Sequence, residues 1–263
     1  MMTTRGRVLA IGGSDCGGGA GIQADIKTIT ALGGHAASAV TAVTVQDTLG
    51  VHAIHPIPPD LVAAQIRAVL ADIGADAIKT GMLGEAASAL AVADALARWP
   101  AIPLVVDPVL FSTSGARLTD EAALRRLIAH ADLLTPNAPE AAILSGRPVE
   151  TTEDLRAAGA ALLSLGAKAV LMKGGHVAGD VVIDLLMTPG GETLFEGERM
   201  ATRHTHGTGC TLASACAAGL AQGLALEQAV ARAWAYTAEA IRRAPGFGAG
   251  RGPLDHAWPV RER

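Results

Sequence analysis

Short apolar runs of strand length alternate along the chain with longer Ala-rich runs of helical period. This alternation is typical of repeated strand–helix units around a mostly parallel sheet. The predicted strands cover residues 8–12, 37–45, 51–57, 77–79, 104–107, 133–135, 169–173, 181–186 and 192–195, the last two as a hairpin. The predicted helices cover residues 22–32, 58–72, 85–98, 119–130, 152–165, 208–223 and 226–244. We therefore expect one α/β domain over residues 1–263, with a central, mostly parallel sheet flanked by helices.

Polar residues follow several of the predicted strands. In open parallel sheets, ligands bind beyond the carboxyl ends of the strands, so these residues are expected to meet at one site. They are Ser14, Asp15, Gln46, Asp107, Asn137 and Lys173. Residues 14–21 are predicted to form a flexible glycine-rich loop at the same edge.

Composition excludes several classes of protein. The chain is 50% hydrophobic and 17% charged, which argues against disorder. A formal net charge of −4 and an aromatic content of 3% give no reason to expect nucleic acid.

The apolar stretch 212–226 is interrupted by glycine and glutamine, so no membrane span is expected, and the apolar run 8–11 is too short for a signal peptide. Three cysteines without a CxxC pair favour a reducing cytoplasm.

The segment His206–Thr211 combines a glycine turn, a helix start and a thiol. Backbone N–H groups at a helix N-terminus have no intrahelical partners and attract anions, so Gly207, Thr208 and Gly209 are candidates for binding a transferred phosphate. At that position Cys210 is expected to lose its proton more easily than an ordinary thiol. The alternative is a glycine-rich turn that leads into a core helix with one small buried cysteine.

Two nucleotide-binding motifs do not explain the chain. Residues 19–24 satisfy the loose GxGxxG/A pattern, but they begin six residues after Gly13, and no acidic strand end follows at the required distance. A Walker A loop is excluded, because the dipeptide Gly-Lys does not occur. A bound nucleotide is expected to use other contacts.

Five further features are candidates for the site, and most of them also have an ordinary interpretation. Asn137 and Glu140 have the spacing for Mg²⁺ and phosphate, although a helix cap is the commoner role of such a tetrapeptide. Asp107 is either a cap or a metal ligand, and Lys173 either contacts phosphate or is solvated. Gln46 carries the donor and acceptor that a heterocyclic ring edge requires. Met82 either packs on such a ring or lies in the core. The histidines have no metal-ligand spacing.

A run of motifs in fixed order resembles the hydroxymethylpyrimidine and phosphomethylpyrimidine kinases of thiamine biosynthesis, within the ribokinase-like kinases. The similarity covers nearly the whole chain. The motifs are Ile11–Asp15, Gly18–Asp25, Lys79–Leu83, Asp107–Val109, Asn137 with Glu140, Met172–His176 and Thr205–Thr211.

The resemblance implies a ribokinase-like three-layer fold and a kinase that uses ATP and Mg²⁺. The implied substrates are 4-amino-5-hydroxymethyl-2-methylpyrimidine and then its monophosphate. Cys210 would be the catalytic residue, with anion-binding amides from Gly207, Thr208 and Gly209. The other implied roles are a substrate pocket of Gly13, Asp25, Gln46, Met82 and Val109, phosphate contacts from Asn137, Lys173 and Thr205, and metal ligation by Asp107 and Glu140. A homodimer is also implied.

Two alternatives remain open. Related enzymes accept the pyridoxal or pyridoxine ring, which carries a similar hydroxymethyl group. A non-catalytic small-molecule sensor would keep the pocket without turnover.

Overall fold

A single nine-stranded sheet forms the centre of the protein. The computed structural model describes residues 6–110 and 121–261. The strands are β1 (Arg7–Asp15), β2 (His35–Gln46), β3 (Val51–Pro56), β4 (Ala77–Thr80), β5 (Leu104–Val106), β6 (Leu133–Leu134), β7 (Val170–Met172), β8 (Val181–Thr188) and β9 (Gly191–Glu198). Their spatial order is β3-β2-β1-β4-β5-β6-β7-β8-β9.

Most neighbouring strands of this sheet run parallel. Strands β2, β1, β4, β5, β6 and β7 form the parallel part. The edge strands β3, β8 and β9 pair antiparallel. The predicted α/β fold is thereby confirmed, and the carboxyl ends of the parallel strands lie along one edge of the sheet.

Helices cover both faces of the sheet. They are α1 (Gly21–Ala31), α2 (Pro59–Asp72), α3 (Ala86–Leu96), α4 (Glu121–Ile128), α5 (Ala138–Ser145), α6 (Thr152–Ser164), α7 (Thr208–Ala221), α8 (Leu226–Arg242) and α9 (Trp258–Arg261). The sheet forms one apolar core with helices α2 to α6 and a second apolar core with helices α1, α7 and α8. In the described ranges, no helix has both the length and the apolar character needed to cross a bilayer.

Strand alternation explains why there are two cores. Val8 packs into the core under α1 and α7, whereas the next residue, Leu9, packs into the opposite core. Ala77 and Ile78 of β4 divide in the same way. Successive side chains of a strand point to opposite faces, so an apolar run can serve both helical layers.

The structure differs from the sequence prediction mainly at element ends. Strand β1 does not stop at Gly12 but continues to Asp15, with a register shift between Gly12 and Ser14. The glycine-rich loop is therefore shorter than predicted. The predicted helix start at residue 119 lies outside the described residues, and α9 was not predicted.

Candidate active site

The N-terminus of α7 lies at the carboxyl edge of the sheet. Gly207 precedes the helix with φ +85°, and its carbonyl accepts the N–H of Thr211 at 2.9 Å. The N–H of Thr208 bonds to the carbonyl of Thr205. Within the described residues, the N–H groups of Gly209 and Cys210 have no acceptor. Free amides and the helix dipole together favour an anion here.

Gly207 is required at this turn by both conformation and space. Its φ lies in the left-handed region, and a Cβ there would overlap the carbonyl oxygen of Gly19. The hydroxyl of Thr208 donates to the carbonyl of Thr205 at 2.8 Å and fixes the other side of the turn. Thr205 thus lies at the turn that begins α7.

Lys173 brings a positive charge to the same place. Its Nζ lies 3.1 Å from Oδ1 of Asp107, which also accepts the hydroxyl of Thr135 at 3.2 Å. A Cβ on Gly209 would come 3.1 Å from this Nζ, so the ammonium lies directly beside the helix start. Burial lowers the pKa of Lys173, but Asp107 and Glu140 outweigh it and the net pKa is raised. The side chain is 12% exposed, so Lys173 is a largely buried cation rather than a solvated lysine.

Asn137 and Glu140 form a capping box at the start of α5. Oδ1 of Asn137 accepts the N–H of Glu140, and Oε2 of Glu140 accepts the N–H of Asn137, both at 2.9 Å. The cap interpretation of this tetrapeptide is confirmed. Burial raises the pKa of Glu140 to about 7, with Lys173 opposing the rise and Asp107 adding to it. Two acidic groups therefore lie close to the Lys173 ammonium.

The oxygen atoms of Asp107 and Glu140 are of the kind that Mg²⁺ prefers in proteins. No group of three His, Cys, Asp or Glu side chains in residues 6–110 and 121–261 forms a closed metal cage. Mg²⁺ needs no such cage, because it keeps several waters and uses one or two carboxylates together with substrate phosphates. Asp107 and Glu140 supply two carboxylates beside the anion-binding turn.

Cys210 is a half-buried free thiol at the second residue after Thr208. Burial raises its pKa to about 11, and Asp25 adds to the rise, whereas Lys79 and the N–H of Gly21 oppose it. The prediction of an easily ionised thiol is wrong for this structure. The field of a helix N-terminus stabilises a thiolate by about 0.3–1 kcal/mol, which is less than about one pKa unit. Full burial can raise the pKa of an acidic group by up to roughly 3–5 units.

Asp25 is not open to the site but lies beneath it. Its side chain is 1% exposed, and Oδ1 accepts Nζ of Lys79 at 2.8 Å and the hydroxyl of Ser214 at 2.6 Å. Burial raises the pKa of Asp25, while Lys79 and Ser214 act in the opposite direction. The contact of Asp25 with a substrate stays a prediction.

Gly13 and Met82 meet at the end of β1. A Cβ on Gly13 would come 2.9 Å from the sulfur of Met82, so the thioether lies against the bare backbone. The hydroxyl of Thr41 donates to the carbonyl of Met82 at 2.7 Å. Val109 lies two residues past Asp107 and is half-buried. Gly13 and Met82 are brought together as a substrate pocket would require.

Gln46 and Asp15 both lie against one ring nitrogen of His206. Nε2 of Gln46 lies 3.0 Å from Nε2 of His206, which is 3.0 Å from Oδ2 of Asp15. Burial raises the pKa of Asp15, but His206 and the backbone N–H groups of Gly17 and Ala20 outweigh it, so the net pKa is lowered. A single ring nitrogen either donates to the Asp15 carboxylate or accepts from the Gln46 amide, but it cannot do both. The Gln46 carboxamide therefore lies in contact with the residue that precedes Gly207.

Sequence reasoning missed three participants in this site. Lys79 appears in the sequence analysis only as the first residue of the motif Lys79–Leu83, with no role of its own, although its place at the end of a predicted strand marks the correct edge of the sheet. His206 appears there only as part of the motif Thr205–Thr211, also without a role. Ser214 carried no signal, because a serine within an Ala-rich helix is ordinary until its partner is known.

Comparison with known proteins identifies the family. Residues 15–255 match phosphomethylpyrimidine kinase. A hydroxymethylpyrimidine/phosphomethylpyrimidine kinase of Streptomyces coelicolor is 48% identical over 97% of this chain and 96% of its own length. The chain belongs to the phosphomethylpyrimidine kinase family. A thiamine biosynthesis bifunctional protein of Geobacter sulfurreducens is 46% identical over 98% of the chain, which spans 54% of that protein's length.

Solved structures confirm the ribokinase-like fold expected for a phosphomethylpyrimidine kinase family member. The ADP complex of Bacillus subtilis pyridoxal kinase matches 98% of this chain and 99% of its own, with a TM-score of 0.90 and 32% identity. A phosphomethylpyrimidine kinase from Clostridium difficile matches 89% of this chain and 99% of its own, with a TM-score of 0.79 and 38% identity. The predicted enzyme class, a kinase, is confirmed with the family.

Proposed function

We propose that this protein transfers the terminal phosphoryl group of ATP to the hydroxymethyl group of 4-amino-5-hydroxymethyl-2-methylpyrimidine, and then phosphorylates the monophosphate. The observation that carries the proposal is the N-terminus of α7, where the free amides of Gly209 and Cys210 lie beside Lys173. It is supported by identity of 48% to kinases of that name over nearly the whole chain.

The proposed reaction depends mainly on positioning and charge stabilisation. The free amides of Gly209 and Cys210 and the Lys173 ammonium stabilise the charge on the phosphoryl oxygens, whereas the predicted Thr208 amide is already bonded to the carbonyl of Thr205. The substrate oxygen attacks phosphorus as its proton passes to Cys210 in the thiolate form, and ADP leaves. Asp107 and Glu140 would hold Mg²⁺, which supplies charge neutralisation at the phosphates.

The pyrimidine ring is proposed to bind on Gly13 and Met82, with Val109 on one side. The contact between the Met82 sulfur and Gly13 supports this placement. Gln46 would recognise the ring edge, and its contact with His206 supports a position of the carboxamide beside the start of α7. Asn137 and Thr205 are proposed to border the nucleotide phosphates.

We propose a homodimer and a cytoplasmic location as further features. Val43 and Val45 of β2 are 45% and 56% exposed, beside the edge strand β3. An exposed apolar patch close to the edge of the sheet favours association with a second copy. The three free thiols support a reducing compartment.

Pyridoxal is the second candidate substrate, because one observation favours it. A Staphylococcus aureus pyridoxal kinase structure with AMP-PCP and pyridoxal matches 96% of this chain and 94% of its own, with a TM-score of 0.87 and 34% identity. We prefer the pyrimidine because sequence identity to the pyrimidine kinases is higher over the same length.

Product analysis separates these candidates. Purified protein is incubated with ATP and either the aminopyrimidine alcohol or pyridoxal, with and without Mg²⁺, and products are identified by mass spectrometry. We expect mono- and diphosphate of the pyrimidine, formed only when Mg²⁺ is present. Phosphate transferred only to pyridoxal would establish the second candidate, and binding of both without product would establish a sensor.

A further inference from the structure

Lys79 is a fully buried cation that the proposed reaction does not use. Its side chain is 1% exposed at the end of β4. Gly81 leaves the room for it, because a Cβ there would come 2.9 Å from Nζ. A buried ammonium is costly unless it is paired with an opposite charge. Its position beneath the site therefore calls for a functional explanation.

The counter-charge of Lys79 is Asp25. Nζ of Lys79 and the hydroxyl of Ser214 both bond to Oδ1 of Asp25, at 2.8 Å and 2.6 Å. Oδ2 of Asp25 has no partner among the described residues, although it is buried. The pair thus forms a buried dipole with one carboxylate oxygen left unpaired.

Two parallel contacts place this pair one helical turn from Cys210. Asp25 lies four residues after Gly21 on α1, and Ser214 lies four residues after Cys210 on α7. The N–H of Gly21 donates to the sulfur of Cys210, while Ser214 donates to Asp25. Residues four apart share a helix face, so the two contacts stack between the helices. The sulfur and the Lys79–Asp25 pair consequently lie on the facing sides of α1 and α7, about one helical turn apart.

Four charged groups act on this sulfur. They are Asp25 from α1, Lys79 from β4, Asp107 after β5 and Lys173 after β7. Lys173 is already paired with Asp107 beside Gly209, where the phosphate is proposed to bind. Lys79 is the cation with the largest effect opposing the cost of burying a thiolate.

We propose that Lys79, with Asp25 as its counter-ion, is the positioning residue that governs ionisation of the Cys210 thiol. A thiol that still holds its proton accepts no other, so Cys210 must first release its proton to water. The resulting thiolate then accepts the proton of the substrate hydroxyl as oxygen bonds to phosphorus. The catalytic consequence rests on the proposed function, whereas the ionisation is measurable without any substrate.

The test is the rate of Cys210 alkylation by iodoacetamide between pH 7 and 9.5, followed by peptide mass spectrometry. Only the thiolate reacts, so below the midpoint a shift of one pKa unit changes the rate about tenfold. We expect about tenfold slower alkylation in Lys79→Met and faster alkylation in Asp25→Asn. Unchanged rates in both variants, or changes in the same direction, overturn the proposal.

Controls are present in the same chain. Exposed Cys16 should react equally in every variant, which checks the reagent. Thr80→Val changes the next buried residue of β4 without changing charge and should leave the Cys210 rate as in the wild type.

The double variant keeps the proposal testable if the single variants do not fold. Lys79→Met with Asp25→Asn leaves no unpaired buried charge. We expect its Cys210 to react more slowly than in the wild type, because Lys79 has the larger effect. An equal or faster rate overturns the proposal. The kinase assay is an independent measurement. If the two single variants change the Cys210 alkylation rate in opposite directions but the wild type forms no phosphorylated product, only the proposed function is refuted. If the wild type forms product but the alkylation rates do not change, only this inference is refuted.

Discussion

Replacing Cys210 by alanine should reduce product formation by roughly 10²- to 10⁴-fold, the usual contribution of a positioned acid–base group. The variant should still fold and bind ATP, because Lys173 and the amides of the α7 N-terminus remain. Steady-state kinetics and nucleotide titration measure the two effects separately.

The matched control for this change is Cys216→Ala. Cys216 lies on the same helix six residues later and is fully buried in the core against α8. Its replacement should cost some stability and leave turnover as in the wild type. If Cys210→Ala turns over as fast as Cys216→Ala, the thiol has no part in the reaction.

Replacing Gly207 by alanine should reduce kcat by roughly 10²- to 10³-fold, as expected when an anion-binding amide is displaced. The left-handed φ of +85° strains any side chain, and the added methyl group would overlap the carbonyl of Gly19. The turn must then move, and the amides of Gly209 and Cys210 move with it.

Gly223 provides the comparison, because it follows the other end of α7. Its φ is +81°, and a Cβ there would meet no atom within 4 Å. Gly223→Ala should therefore cost about 1–2 kcal/mol of stability from backbone strain and leave kcat unchanged. Thermal unfolding and kinetics of both variants check this. Equal turnover in the two variants would show that the anion-binding turn is not used.

The fold could be predicted from the sequence because its signal is local. In each unit the spacing of the apolar residues changes from the helical to the strand period, as between α6 and the following strand β7. Element ends were harder. Gly12 and Gly13 suggested that β1 had ended, but pairing with β2 continues the strand to Asp15 through a register shift.

The electrostatics of the site could not be read from the sequence. The helix-start argument for Cys210 predicted an easily ionised thiol, whereas burial dominates and raises its pKa. Lys79 acquires its meaning only from Asp25, which lies 54 residues away along the chain. Such effects depend on what packs around a group, and no local pattern records that.

The most direct test of the account is a crystal structure with a non-hydrolysable ATP analogue and the aminopyrimidine alcohol. We predict the terminal phosphate on the N–H groups of Gly209 and Cys210 beside Lys173, with the alcohol oxygen within hydrogen-bond distance of the Cys210 sulfur. An alcohol bound out of reach of that sulfur, or a phosphate held away from the start of α7, would contradict the account.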